Sequence, residues 1–136
     1  MIKRVTHSTM FVKDQNETLR FYTEKLGFEV RADMTMGDFR WLTVGAKDQP
    51  DFDFVLFALR ADNSFLSDED IKAITHLLEN GKLGGPVLQA DDLQKTYEEM
   101  QAKGVEFVAP PTDQPWATEA IFKDNNGYIF SLQQDR

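Results

Sequence analysis

The period of the hydrophobic positions changes repeatedly along this chain, and each change marks an element. Residues 5–12 (VTHSTMFV) are rich in β-branched and apolar side chains and read as a strand. From Asp14 the spacing becomes helical: Leu19, Tyr22 and Leu26 recur on one face, Asp14 and Glu17 form an acidic capping pair, and Gly27 supplies the stop. Strands are predicted over 28–33 and 38–44, joined by a Met-Thr-Met-Gly turn, and over 51–59. That last stretch, DFDFVLFAL, is apolar on both faces, which suits a strand with a core on one side and a cleft on the other.

A helix is expected next, capped by Ser67, acidic in its first turn (Asp68, Glu69, Asp70), striped by Ile71, Ile74 and Leu78, and ended by Gly81. The chain then predicts a strand at 85–90, a helix at 92–103, a strand at 105–108 and a turn rich in proline (Pro110, Pro111, Pro115). Strands at 116–123 and 127–133 follow, joined by Asn126-Gly127, a short hairpin signal.

The second series echoes the first at an offset of 78 residues, with Asp14 over Asp92, Lys25 over Lys103, and Gly27 over Gly104 after a one-residue deletion. Solenoid repeats are shorter, roughly 20–50 residues. The expectation is therefore an α+β protein built from two βαβββ modules, 1–60 and 84–136, with a linker helix within 61–83. Together they would make one domain, 1–136, with any site lying where the copies meet.

Composition narrows the function. The formal charge of −8 leaves no basic footprint for nucleic acid and disfavours an anionic membrane surface. Zero cysteines exclude disulfides, thiol catalysis and zinc-thiolate sites. No run of 18 apolar residues occurs and the opening MIKRVTHSTMFVKD has no apolar leader core, so a cytoplasmic protein is expected. Eleven Phe residues imply much flat apolar surface to place in a core, a cleft or a subunit contact.

The segments HSTMFVKD (7–14), FYTEKLGFEV (21–30), DDLQKTYEEMQAKGVEF (91–107) and IFKDNNGYIFSLQQ (121–134) together resemble the vicinal-oxygen-chelate superfamily, which includes glyoxalase, bleomycin-resistance and extradiol dioxygenase proteins. The resemblance implies a cupped, mostly antiparallel eight-stranded sheet, helices on its convex side, a ligand cleft in its concave face, and a tendency to dimerise. It also implies a metal position on the first, fourth, fifth and eighth strands. These fall at His7, at Asp53 or Val55, at Gly85, and at Ser131. Only His7 and Asp53 are good donors, where a stable divalent site wants three or four. No cofactor is therefore favoured; a divalent metal, if held, would sit at His7 and Asp53. Gln89 and Gln133 are assigned by parity to the faces of Gly85 and Ser131.

The cleft would then be lined by His7, Thr9, Phe11, Trp41, Asp53, Phe57, Gln89, Trp116 and Ser131. Arg40 and Trp41 face opposite ways, so one of them faces the cleft. His76, on the linker helix without neighbouring ligand types, is expected to be a surface or packing residue. Aromatic walls with a few polar groups suit a small, partly apolar molecule. Two readings follow: a metal-free binder, acting as a homodimer on a small molecule that is aromatic or cationic, and a divalent-metal lyase, isomerase or dioxygenase.

Overall fold

A computed structural model describes residues 1–60 and 66–135; the first positions of the expected linker segment, 61–65, lie outside the described residues. The chain forms two compact units, Met1–Ala73 and Ile74–Arg136. Each holds a four-stranded mixed sheet, so the expected α+β architecture of two βαβββ modules is present, with its hydrogen bonding divided into one sheet per module.

In the first unit β1 (His7–Val12) leads into α1 (Gln15–Arg20), which runs on through a π-helical turn at Phe21–Lys25. β2 (Glu29–Met36), β3 (Phe39–Gly45) and β4 (Asp53–Ala58) complete the sheet in the order β1-β4-β3-β2, with β1 parallel to β4 and the other pairings antiparallel. Asp14 caps the helix by accepting from the Glu17 amide at 2.8 Å. The helical segment covers one face of the sheet, where Met10, Val12, Leu42, Val44 and Leu56 are buried with Tyr22. The Tyr22 hydroxyl reaches Met10 Sδ at 3.6 Å and Gln15 Nε2 donates to Leu56 O at 2.8 Å. Each such aliphatic side chain contributes about 1.5–3 kcal/mol on burial.

The expected Met-Thr-Met-Gly turn is shorter. β2 continues to Met36, which pairs with Phe39, and only Gly37 and Asp38 remain outside the strands. Gly37 has φ 61°, the left-handed first residue that a two-residue hairpin turn requires.

The second unit begins within α2 (Asp68–Glu79), whose start is fixed by reciprocal bonds between Ser67 and Asp70. β5 (Gly84–Gln89), α3 (Leu93–Ala102), β6 (Glu106–Asp113), β7 (Thr118–Lys123) and β8 (Ile129–Gln134) follow, in the sheet order β5-β8-β7-β6. Ala120, Phe122, Phe130 and Leu132 fill its core with Leu93 and Met100 of α3.

Two expectations about its turns are corrected. Pro110 and Pro111 lie inside β6 and do not form a turn. β6 is an edge strand with bulges on either side of Ala109, and there a missing N–H breaks no ladder. The β7–β8 connection is a five-residue loop, 124–128, and not a two-residue Asn-Gly turn. Its organiser is the buried Asp124, whose Oδ1 accepts from the amides of Asn126, Gly127 and Tyr128 at 2.9–3.0 Å.

Candidate functional site

In the first unit, the face of the sheet turned away from α1 gathers six of the residues expected at the site. His7 pairs in register with Asp53, Thr9 with Val55, and Phe11 with Phe57. β3 adds Trp41, whose ring centroid lies 5.8 Å from that of His7, while Phe11 meets Phe57 edge-on at 5.8 Å. Phe39 joins this aromatic row 6.1 Å from Phe57. The open question at β3 is thereby answered. Trp41 is on the face of His7, whereas Arg40 turns to the other side and grips Asp33 and Asn16. At the outer end of this face Met34 and Met36 are exposed, and Met34 pairs with Trp41.

Asp53 is the polar centre of the face, and its strongest partner is one the sequence reading did not name. Arg31 is the extra residue of a bulge between Val30 and Ala32, which takes its side chain out of the normal alternation. Its Nη1 stands 2.9 Å from Asp53 Oδ1, and both side chains are largely covered, at 14% and 18% exposure. Arg31 also donates to the carbonyls of Ala46, Gln49 and Pro50, so all its terminal N–H groups are used. Gly45 makes this possible by leaving open the space the guanidinium fills. The other Asp53 oxygen accepts from Thr43 Oγ1 at 3.3 Å and lies 3.8 Å from His7 Nε2. His7 Nδ1 is within hydrogen-bond distance of Thr6 Oγ1, 2.9 Å away.

This donor set does not fit a divalent ion. Among the described residues no three His, Cys, Asp or Glu side chains come together in a way that could hold one. The pair that does meet, His7 and Asp53, has a guanidinium bonded to its carboxylate, and a fixed positive charge there opposes a second cation.

The second unit carries Gln89 and Ser131. β8 pairs with β5 as Ser131 opposite Val87 and Gln133 opposite Gln89, so Gln89, Ser131 and Gln133 share a face. Gly85 does not join them. A bulge between Gly84 and Val87 intervenes, and a Cβ at Gly85 would meet the ring of the buried Phe130 at 3.0 Å. The side chain missing at that position therefore points toward Phe130, and parity counting across the bulge fails. On the same face Glu119 of β7 was also missed. Its Oε2 accepts from Ser131 Oγ and from Gln133 Nε2. Parity on β7 could have found it, because Ile121 pairs with Ser131 and Glu119 with Gln133.

Trp116 lies before β7, in a turn closed by Gln114 N donating to Ala117 O at 2.9 Å, and its side chain is exposed. Among the described residues, the His76 bonds are within its own helix end, to Asn80.

Comparison with known proteins gives a consistent picture. A model of the Glyoxalase/Bleomycin resistance protein/Dioxygenase superfamily matches residues 4–132. The crystal structure of UcmS2 is 43% identical, with a TM-score of 0.91 and 98% of each chain covered. TnmS3, an antibiotic binding protein from Streptomyces sp. CB03234, is 28% identical with a TM-score of 0.77, covering 99% of this chain and 98% of its own. YurT of Bacillus subtilis (strain 168), an uncharacterised protein, is 34% identical over 131 residues, 96% of this chain and 98% of YurT.

Proposed function

Because this chain belongs to the Glyoxalase/Bleomycin resistance protein/Dioxygenase superfamily, we propose that it is a binder of small, partly apolar molecules whose metal site is degenerate. The observation that carries the reading is the Arg31–Asp53 contact of 2.9 Å, which gives the fourth-strand carboxylate a cation from the chain itself. The adjoining row of His7, Trp41, Phe39, Phe57 and Phe11, with the adaptable thioethers of Met34 and Met36 beside it, supports an apolar or aromatic ligand. Likeness to TnmS3, an antibiotic binding protein, supports the same class of function. His7, Thr9, Phe11, Trp41, Asp53 and Phe57 are the residues of the first unit assigned to ligand contact. In the second unit, taken by itself, Gln89, Ser131 and Trp116 are the residues assigned to ligand contact. The protein is read as a cytoplasmic homodimer.

Thermal unfolding with divalent metals and with a panel of aromatic small molecules tests this. A ligand at 100 times its dissociation constant stabilises the fold by about 2.7 kcal/mol. Stabilisation by organic ligands alone is the expected result. A shift with metal alone, abolished by a chelator, favours the second reading, a divalent-metal lyase, isomerase or dioxygenase. The 3.8 Å approach of His7 to Asp53 is the observation on that side.

A further inference from the structure

Carboxylates on the strands of this protein are mostly supplied with a cation of their own. Asp33 has Arg40, Asp53 has Arg31 and Glu106 has Lys123. Asp113, at the exposed end of β6, accepts from the Thr118 hydroxyl. Unlike Asp113, Glu119 is half-buried on the sheet face. Among the described residues its partners are neutral, the Ser131 hydroxyl and the Gln133 amide, and both reach the same oxygen, Oε2. Gln133 Nε2 also donates to Ser131 Oγ at 3.0 Å, closing a three-membered network that fixes the carboxylate on the sheet face. Oε1 receives no bond from the described residues.

The surroundings do not supply the missing charge. Lys123 lies on the same face of β7, but four residues along, about 13 Å in an extended strand, and it is engaged with Glu106 at 3.5 Å. Beside Ser131 the face is apolar, while Gln89 borders Gln133 and Thr112 borders Glu119. Ile121 pairs with Ser131 from one side, and Val87, 65% exposed, pairs with it from the other. A half-buried carboxylate, held in place by neutral donors and bordered by exposed hydrocarbon, is built to receive a charged N–H donor carried on an apolar body.

We infer that Glu119, oriented by Ser131 and Gln133, is the anchoring residue for a protonated amine, and that the molecules this protein binds include hydrophobic amines. The inference rests on the reading of the chain as a small-molecule binder and adds the chemical class. Its physical basis is the charge–charge attraction that an ammonium adds to the hydrogen bond an alcohol can also make. At a partly covered carboxylate that attraction corresponds to about tenfold in affinity.

The test uses 2-phenylethylamine and its uncharged counterpart 2-phenylethanol, titrated into isotope-labelled protein and followed by amide NMR. Wild-type protein is expected to bind the amine about tenfold more tightly than the alcohol, with the largest shifts on β7, β8 and the Gln133 side-chain amide. Glu119→Gln, which keeps the size of the side chain, should bring the two probes level while leaving the rest of the spectrum in place. Ser131→Ala should reduce the preference without abolishing it. Equal binding of amine and alcohol to wild type overturns the inference, as does a preference that survives Glu119→Gln or shifts that avoid β7 and β8. If the amine preference fails while aromatic ligands still perturb Trp41, the inference falls and the binding function stands. If no organic ligand perturbs either face, both fall.

Discussion

A Cβ on Gly45 would stand 2.7 Å from Arg31 Cζ and 2.8 Å from Nη2, so the absent side chain at Gly45 is the space the guanidinium occupies. The two residues are sequence-distant, yet the bulge at Arg31 and the end of β3 bring them into one volume. Gly45→Ala should therefore destabilise the protein by about 1–3 kcal/mol, the usual cost of overpacking. In an Arg31→Ala background the same change should cost much less, because nothing is left to collide with. Urea unfolding of the four proteins of this cycle gives the coupling directly. Additive effects would show that the guanidinium moves aside freely and does not depend on Gly45.

The ion pair at Asp53 also bears on metal content. With Arg31 bonded to one carboxylate oxygen and Thr43 to the other, purified protein should carry far less than one equivalent of Zn, Ni, Mn or Fe. Elemental analysis checks this. A result near one equivalent, lost in His7→Ala, would mean that the guanidinium yields its place to an ion.

Most elements were legible in the sequence because their signals are local. Asp14 and Asp92 do cap their helices, accepting from Glu17 N and Lys95 N, and the repeat in the sequence is a repeat of the same four-stranded sheet. What was not legible is what one inserted residue does to a strand. The bulge at Arg31 sends a charged side chain to the carboxylate of a strand two places away, and the bulge before Val87 points Gly85 at the Phe130 ring. Neither changes the local hydrophobic pattern, so period counting passes over both. Pro110 and Pro111 misled for a related reason: an edge strand accepts prolines that an interior strand would reject, and position in the sheet is not written in the local sequence.

Gly127 shows a second dependence on a missing side chain. Its φ is 109°, and a Cβ there would lie 2.0 Å from the backbone oxygen of Leu78 near the end of α2. That neighbour is main chain and cannot rotate away. Gly127→Ala should cost more than about 3 kcal/mol, combining backbone strain with a forced separation of loop and helix. Chemical denaturation measures it, and a loss below about 1 kcal/mol, less than backbone strain alone would cost, would rule out so close an approach.

Asp124 holds the same loop through three backbone amides, and it is only 6% exposed. Removing the acceptor with Asp124→Ala takes it from the amides of Asn126 and Tyr128, at about 1–3 kcal/mol for each buried group whose bond is not replaced, while the Gly127 amide keeps the Asp124 carbonyl at 3.3 Å. The variant is expected to lose at least 2 kcal/mol, roughly two such penalties. Hydrogen exchange should localise the damage, with the amides of Asn126 and Tyr128 losing protection first. Protection lost evenly across the second unit would instead mark Asp124 as a general core residue.

Asp33 and Arg40 give a pH-dependent prediction. Arg40 donates from Nε and Nη2 to the two Asp33 oxygens, each at 2.9 Å, and these bonds hold the Asp33 carboxyl below its ordinary value of 3.8. A carboxyl depressed in the folded state takes up its proton more readily in the unfolded chain. Its contribution is therefore complete above the unfolded value and fades as the pH falls through the folded one. Because the Asp33 side chain is 40% exposed, solvent screening limits that contribution to under about 1 kcal/mol. Asp33→Asn should accordingly be slightly less stable than wild type at neutral pH, and the gap should close in acid, below 3.8. Denaturant midpoints for both proteins across that range supply the comparison. A gap that stays constant as Asp33 protonates would show that the pair works through shape and not through charge.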